Sequence, residues 1–202
     1  MKLRMLMGAV AMTAVVAGAA AALSLQERDK PTGMDPKMAK VIEAGTPGEG
    51  HKALEPCAGK WDLKVKHFEK AGAPPVESNA TSEVKWIMDG RFLEEVVKGS
   101  MMDMPFEGKG VIGYDNTKKK YVSSWIDNMS TGIMFSEGTY DPATKTSTST
   151  GECADPVTGK LVKHRMVRKA IDNDHWTMQM FMPGEDGKEY MGMEIIGARS
   201  SK

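Results

Sequence analysis

The chain is short of most features that announce a chemistry. It has only 2 cysteines in 202 residues, too few for a disulfide-stapled scaffold or a Cys-rich zinc module. It has no net charge, with 27 basic and 27 acidic residues. Nothing is left over to neutralise a polyanion, which argues against a nucleic-acid partner. There is no G-x-S-x-G, no C-x-x-C, no P-loop and no H-E-x-x-H. No catalytic residue, metal or cofactor is therefore assigned, and the reading points away from an enzyme. A triad assembled from residues distant in sequence stays open. Past residue 55 no helix-length amphipathic segment occurs.

What is present begins with a leader. Lys2 and Arg4 precede an uncharged stretch over residues 5–25, rich in Ala, Val, Met and Leu. Ala20, Ala22 and Ser24 offer cleavage after Ala22 or after Ser24. Residues 1–24 thus read as a signal peptide of an exported protein, periplasmic or extracellular. Left uncleaved, the stretch would be an anchor and the chain's one link to a membrane. Residues 25–50 read as a linker rich in Pro and Gly. It carries a short helix from Asp35, a suitable N-cap, with Met38, Val41 and Ile42 on one face and Gly45 at its end. A further helical turn is expected over His51–Leu54.

From Gly59 the texture changes. Trp61, Leu63, Val65 and His67 alternate with Asp62, Lys64 and Lys66, the period of a half-buried strand. Turn signals such as Asp89-Gly90 and Asp172-Asn173-Asp174 punctuate the rest. Ten strands are expected, near 60–68, 79–88, 91–99, 105–114, 120–127, 132–140, 145–153, 160–170, 175–182 and 188–197. Short connections forbid parallel crossovers, so the sheet is antiparallel and sequential. Ten strands in a meander leave two bare edges unless the sheet closes. The expected fold is all-β: an up-and-down antiparallel β-barrel over residues 51–199, wide enough for an internal hollow. A two-sheet sandwich is the alternative.

Gly59-Lys60-Trp61 opens the first strand and Arg199 follows the last. This resembles the lipocalin-like calycins, in which a G-x-W on strand one meets a basic side chain from the last strand at the closed end. The runs from Trp86 to Phe92, Pro105 to Gly108, Gly113 to Asp115 and Tyr121 to Asp127 are similar to a bacterial family, domain of unknown function 1579. That resemblance covers about residues 50–197. It implies a calycin-like barrel, with Gly59, Trp61 and Arg199 as its closing contact, and it implies no activity.

Candidate site residues follow from strand faces. Tyr121, Trp125 and Asp127 share one face, and Phe92 and Glu94 another. If these aim inward, with Trp86, His164, Met178 and Met180, they line a pocket for a small hydrophobic or amphipathic ligand. The alternatives are an enzyme using carboxylates such as Glu94 and Asp127, or a structural or interaction protein with no small ligand. His164 could also ligate haem iron, although a hydrogen-bonded wall histidine is the plainer reading. Methionine is abundant, at 18 residues. Met178, Met180 and Met182 share a face, as do Met191 and Met193, and the two rows could meet across a hairpin. Thioethers suit Cu(I), yet a soft core or a pliable apolar lumen is the plainer reading. Gly108-x-Gly110-x-x-Gly113 matches a dinucleotide fingerprint, but a strand follows where a helix is required. Cys57 and Cys153 could pair, or stay as two thiols.

Overall fold

The computed structural model describes residues 34–155, 158–184 and 186–201. The leader over residues 1–24 lies outside them, as does the linker up to residue 33. No helix among the described residues is long and apolar enough to cross a membrane.

Two helices come first, α1 (Pro36–Ala44) and α2 (Glu49–Lys52), then a 3-10 turn over Glu55–Cys57. Asp35 caps α1, its carboxylate accepting a hydrogen bond from the Lys37 amide at 2.8 Å. The expected apolar face is there, but Met38, Val41 and Ile42 are 54, 65 and 49 % exposed. The end of α1 is tied to the barrel by backbone acceptors instead. Arg91 donates to the Gly45 carbonyl, and Asn116 donates to those of Ala44 and Thr46.

Ten strands follow among the described residues: β1 (Gly59–His67), β2 (Val76–Ile87), β3 (Phe92–Met101), β4 (Met104–Asp115), β5 (Lys120–Asp127), β6 (Met134–Asp141), β7 (Thr146–Ala154), β8 (Leu161–Ala170), β9 (His175–Pro183) and β10 (Glu189–Arg199). Each pairs antiparallel with its sequence neighbours, and β1 also pairs with β10, so the sheet is a closed barrel. The tight hairpins carry the backbone that such turns need. Met102 and Asp103 have φ of 49° and 62°, and Met88, Asp89 and Gly90 have 50°, 54° and 78°. These left-handed values match the twist of the flanking strands.

The barrel is closed at the end where β1 begins. Leu54 and Cys57, 0 and 1 % exposed, plug it from the 3-10 turn and its flank. The last strand runs to Arg199, two residues beyond the expected end, and Arg199 stands opposite Trp61. Its guanidinium lies 4.2 Å from the Trp61 ring centroid. It also donates to the Ala58, Pro56 and Asn173 carbonyls and pairs with Asp174 at 3.0 Å. The Trp61 indole donates to the Cys57 carbonyl at 3.0 Å, so the plug, the first strand and the last strand meet at one contact. Gly59, at φ 130°, leaves the space: a Cβ there would sit 2.5 Å from Arg199 Nη1. The fingerprint-like glycines serve packing too. A Cβ on Gly108 or Gly110 would strike the Trp125 indole, at 2.2 and 3.1 Å.

Arg199→Ala removes the ring contact and four polar partners together. Unfolding free energy is expected to fall by about 2 kcal/mol, read as a lower urea midpoint at unchanged slope. An unchanged midpoint would show that closure does not depend on this residue.

Candidate functional site

Strand parity decides what enters the lumen. On β3, Leu93, Glu95 and Val97 are buried at 0, 1 and 1 % exposure, so they face in. Phe92 and Glu94 therefore lie on the outer wall, against the expectation that they line a pocket. Phe92 is 36 % exposed. The sequence held the clue, because Lys98 shares their face and a lysine resists burial. Glu95 is the carboxylate inside. The same logic places Arg168 in the lumen of β8, with Lys163, Arg165 and Lys169 outside.

Trp125, His164, Met178 and Met180 do face inward, all at 1–2 % exposure. Tyr121 and Trp86 are half-buried against the same core. Trp86 sits at the plugged end and donates to Glu55 Oε2 at 2.8 Å. Tyr121 packs edge-on to Tyr114 at 5.0 Å, and burial pushes its hydroxyl up to about 12. Asp127 sits at the other end of the barrel with both oxygens committed, one to the Trp125 indole and one to the Met129 amide. With Glu94 outside and Asp127 engaged, the proposed pair of catalytic carboxylates does not assemble.

Topology bears on two further points, the first left open by the sequence and the second expected from it. No disulfide joins Cys57 to Cys153. Cys57 lies in the plug, whereas Cys153 lies near the far end of β7, beside Val162. Met191 and Met193 do not share a face either. A register shift between them turns Met191 toward Phe181 and leaves Met193 paired with Met180.

Inside, a polar cluster sits near the plug. Ser82 donates to Glu95 Oε1 at 2.6 Å. Burial pushes the Glu95 carboxyl up to about 7, against the opposing pull of the Ser82 hydrogen bond and the Arg168 charge. Arg168, 2 % exposed, lies 4.1 Å over the Trp176 ring and donates to Cys57 Sγ at 3.4 Å. Ser147 is its neighbour in register on β7. Higher on β8, His164 Nε2 meets Ser136 Oγ at 3.2 Å, and burial lowers its imidazole to about 4.

This interior leaves polar atoms without partners: Glu95 Oε2, Arg168 Nε, Ser147 Oγ, Ser149 Oγ, His164 Nδ1 and His67 Nε2. Such groups are rare in folded proteins and costly. Among the described residues the lumen side chains pack closely, with Met166, Met178, Met180, Met193 and Ile195 all 0–1 % exposed. A partly enclosed space of about 10 Å³, room for a single water, lies against Ile112, Tyr121, Ser136, Ser147 and Ser149. Larger depressions, of about 720 and 590 Å³, are grooves on the outer wall.

Comparison with known proteins agrees with this architecture. A family model described as "Protein of unknown function (DUF1579)" matches residues 46–199. No curated protein matches the chain. Among solved structures, the S-type phycobiliprotein lyase CPES of Guillardia theta is similar at a TM-score of 0.52 and 10% identity, over 73% of this chain and 90% of that one. The Rv2717c protein of M. tuberculosis is similar at a TM-score of 0.56 and 13% identity, over 77% of this chain and 99% of that one. At these identities the likeness is one of fold.

Glu95 generates a pH dependence with a definite sign. Its carboxyl keeps its proton up to about 7 when folded, against an ordinary value of 4.5. The unfolded chain therefore releases the proton first. Stability from this group is complete below pH 4.5 and is lost as pH rises to 7. Measured by urea unfolding, the wild type should lose on the order of 3 kcal/mol relative to Glu95→Gln across that window, with no further change above it. A constant difference would mean that Glu95 ionises as in water.

Proposed function

The chain belongs to this family of unknown function, and from that premise we propose that its barrel is a binding module for a small amphipathic molecule held in the lumen. The supporting observation is the set of buried polar atoms that the protein leaves unpartnered. Burying Glu95 and Arg168 costs several kcal/mol if they only fill space. A polar ligand end placed between Arg168 Nε, Ser147 and Ser149 would satisfy these groups. Met166, Met178 and Met180 then supply an apolar wall. Methionine is unbranched and adaptable, so a wall closed on itself can part for a guest. The likeness to a phycobiliprotein lyase is compatible with this reading and adds no ligand identity.

The alternative is a structural barrel without a ligand, favoured by the narrow enclosed space. Native mass spectrometry of the protein purified from its own host separates the two. Co-purified mass is expected on the wild type and lost in Arg168→Met, with circular dichroism checking that the variant is folded. No added mass, together with a crystal structure showing waters on each of these atoms, would establish the structural reading.

We also propose that the protein works outside the cytoplasm, on the strength of the leader-like residues 1–24. The mature chain is expected to begin after Ala22 or Ser24, and a mass that retains Met1 would refute this.

A further inference from the structure

The strand register brings together a set of soft donors that sequence spacing alone does not reveal. Met193 on β10 is paired with Met180 on β9, and Met180 with Met166 on β8. All three face the lumen and are 0–1 % exposed. On the other side of Met193, β1 places His67 as its partner. His67 has the parity of Trp61, Leu63 and Val65 and so also faces in, and its Nε2 is buried without a hydrogen-bond partner. Side chains paired on one face of adjacent strands stand about 5 Å apart at Cβ. Inside a closed barrel they also converge toward the axis. Three thioethers and one imidazole nitrogen thus form a continuous row across four neighbouring strands. His164 bounds the row, two residues from Met166 on the same inner face, with Nδ1 unpartnered.

The kind of donor decides the kind of ion. No group of three His, Cys, Asp or Glu side chains that could hold a metal occurs among the described residues. A hard or borderline divalent ion such as Mg²⁺ or Zn²⁺ therefore lacks ligands here. Thioethers with an imidazole select a soft monovalent ion instead. We propose that Met166, Met180, Met193 and His67 form a binding site for Cu(I), which Ag(I) would also occupy. A bare ion needs no hollow of ligand size; the site shares Met166 and Met180 with the apolar wall of the small-molecule reading but does not rest on that reading. No redox step is involved: the ion enters as Cu(I) and exchanges its solution ligands for sulfur and nitrogen.

The β-bulge after Met191 supplies the geometry. Without that shift in register Met193 would face outward, and the row would break at its centre. Met178 serves as the control. It faces the lumen on the same strand as Met180, but its partners in register are Ile195 and Arg168, so it belongs to a different row.

The test is anaerobic titration of the intact protein with Cu(I) against a chromophoric Cu(I) chelator, and with Ag(I) followed by native mass spectrometry. One ion per chain is expected, with submicromolar affinity and no competition from Zn²⁺. Met180→Leu and His67→Asn should each weaken binding at least tenfold, whereas Met178→Leu should leave it unchanged. Leu for Met conserves volume, so folding survives, and circular dichroism checks that it does. Absence of binding overturns the site. So does equal weakening by Met178→Leu and Met180→Leu, which would mean that ions bind wherever methionine occurs.

Discussion

The pairing of the first strand with the last is the constraint on which everything else rests. A ten-strand meander has an inside only if β1 meets β10, and it does so over Trp61 to His67. At the plugged end this ladder is reinforced by Arg199, which stacks on Trp61 and donates to carbonyls on both sides of the seam. Closure leaves no strand edge to be protected. It also fixes which face of every strand is interior, because a shift of one residue would turn all of them over.

Closure creates an interior of mixed character. The walls formed by β8, β9 and β10 carry methionines, with Trp176 at the plugged end. The adjoining wall, on β6 and β7, carries Ser136, Ser147 and Ser149, with Gly138 and Gly151 on the same face. These small residues leave room beside the large side chains of β8 to β10. Near the plug, Arg168 projects from β8 and Glu95 from β3. They do not form a close ion pair, and the environment pushes the carboxyl toward its neutral form. An interior optimised for stability alone would have neither residue. Their presence is the strongest sign that the lumen serves more than packing.

The strands and hairpins were legible because both depend on local rules. Alternation at Trp61, Leu63 and Val65 is visible in any window of seven residues. The Asp89-Gly90 turn demands a backbone that few other residue pairs supply. His164, Met178 and Met180 are buried on strands whose other face is mostly polar or charged, whereas Trp125 shares β5 with Val122 and Ile126 on the other face, so alternation did not decide its direction and the family resemblance tipped the reading inward. Phe92 and Glu94 were misplaced because β3 carries apolar residues and a glutamate on both faces. There alternation gives equal signals, and Lys98 was the single residue that broke the tie.

Ten antiparallel strands and a helical preface could be read from the amino acids alone, because periodicity and turn chemistry act over short stretches of chain. Strand number favoured a closed barrel over a sandwich, and the Trp–Arg seam came from the resemblance to calycins. Folding was needed to show which carboxylate is buried, that Cys57 and Cys153 stand at opposite ends, and that Met166, Met180, Met193 and His67 fall into one row. Those facts depend on register between the first strand and the last, and on a bulge that reverses one face of β10 just after Met191. Register is a property of paired backbones, and no single strand carries it.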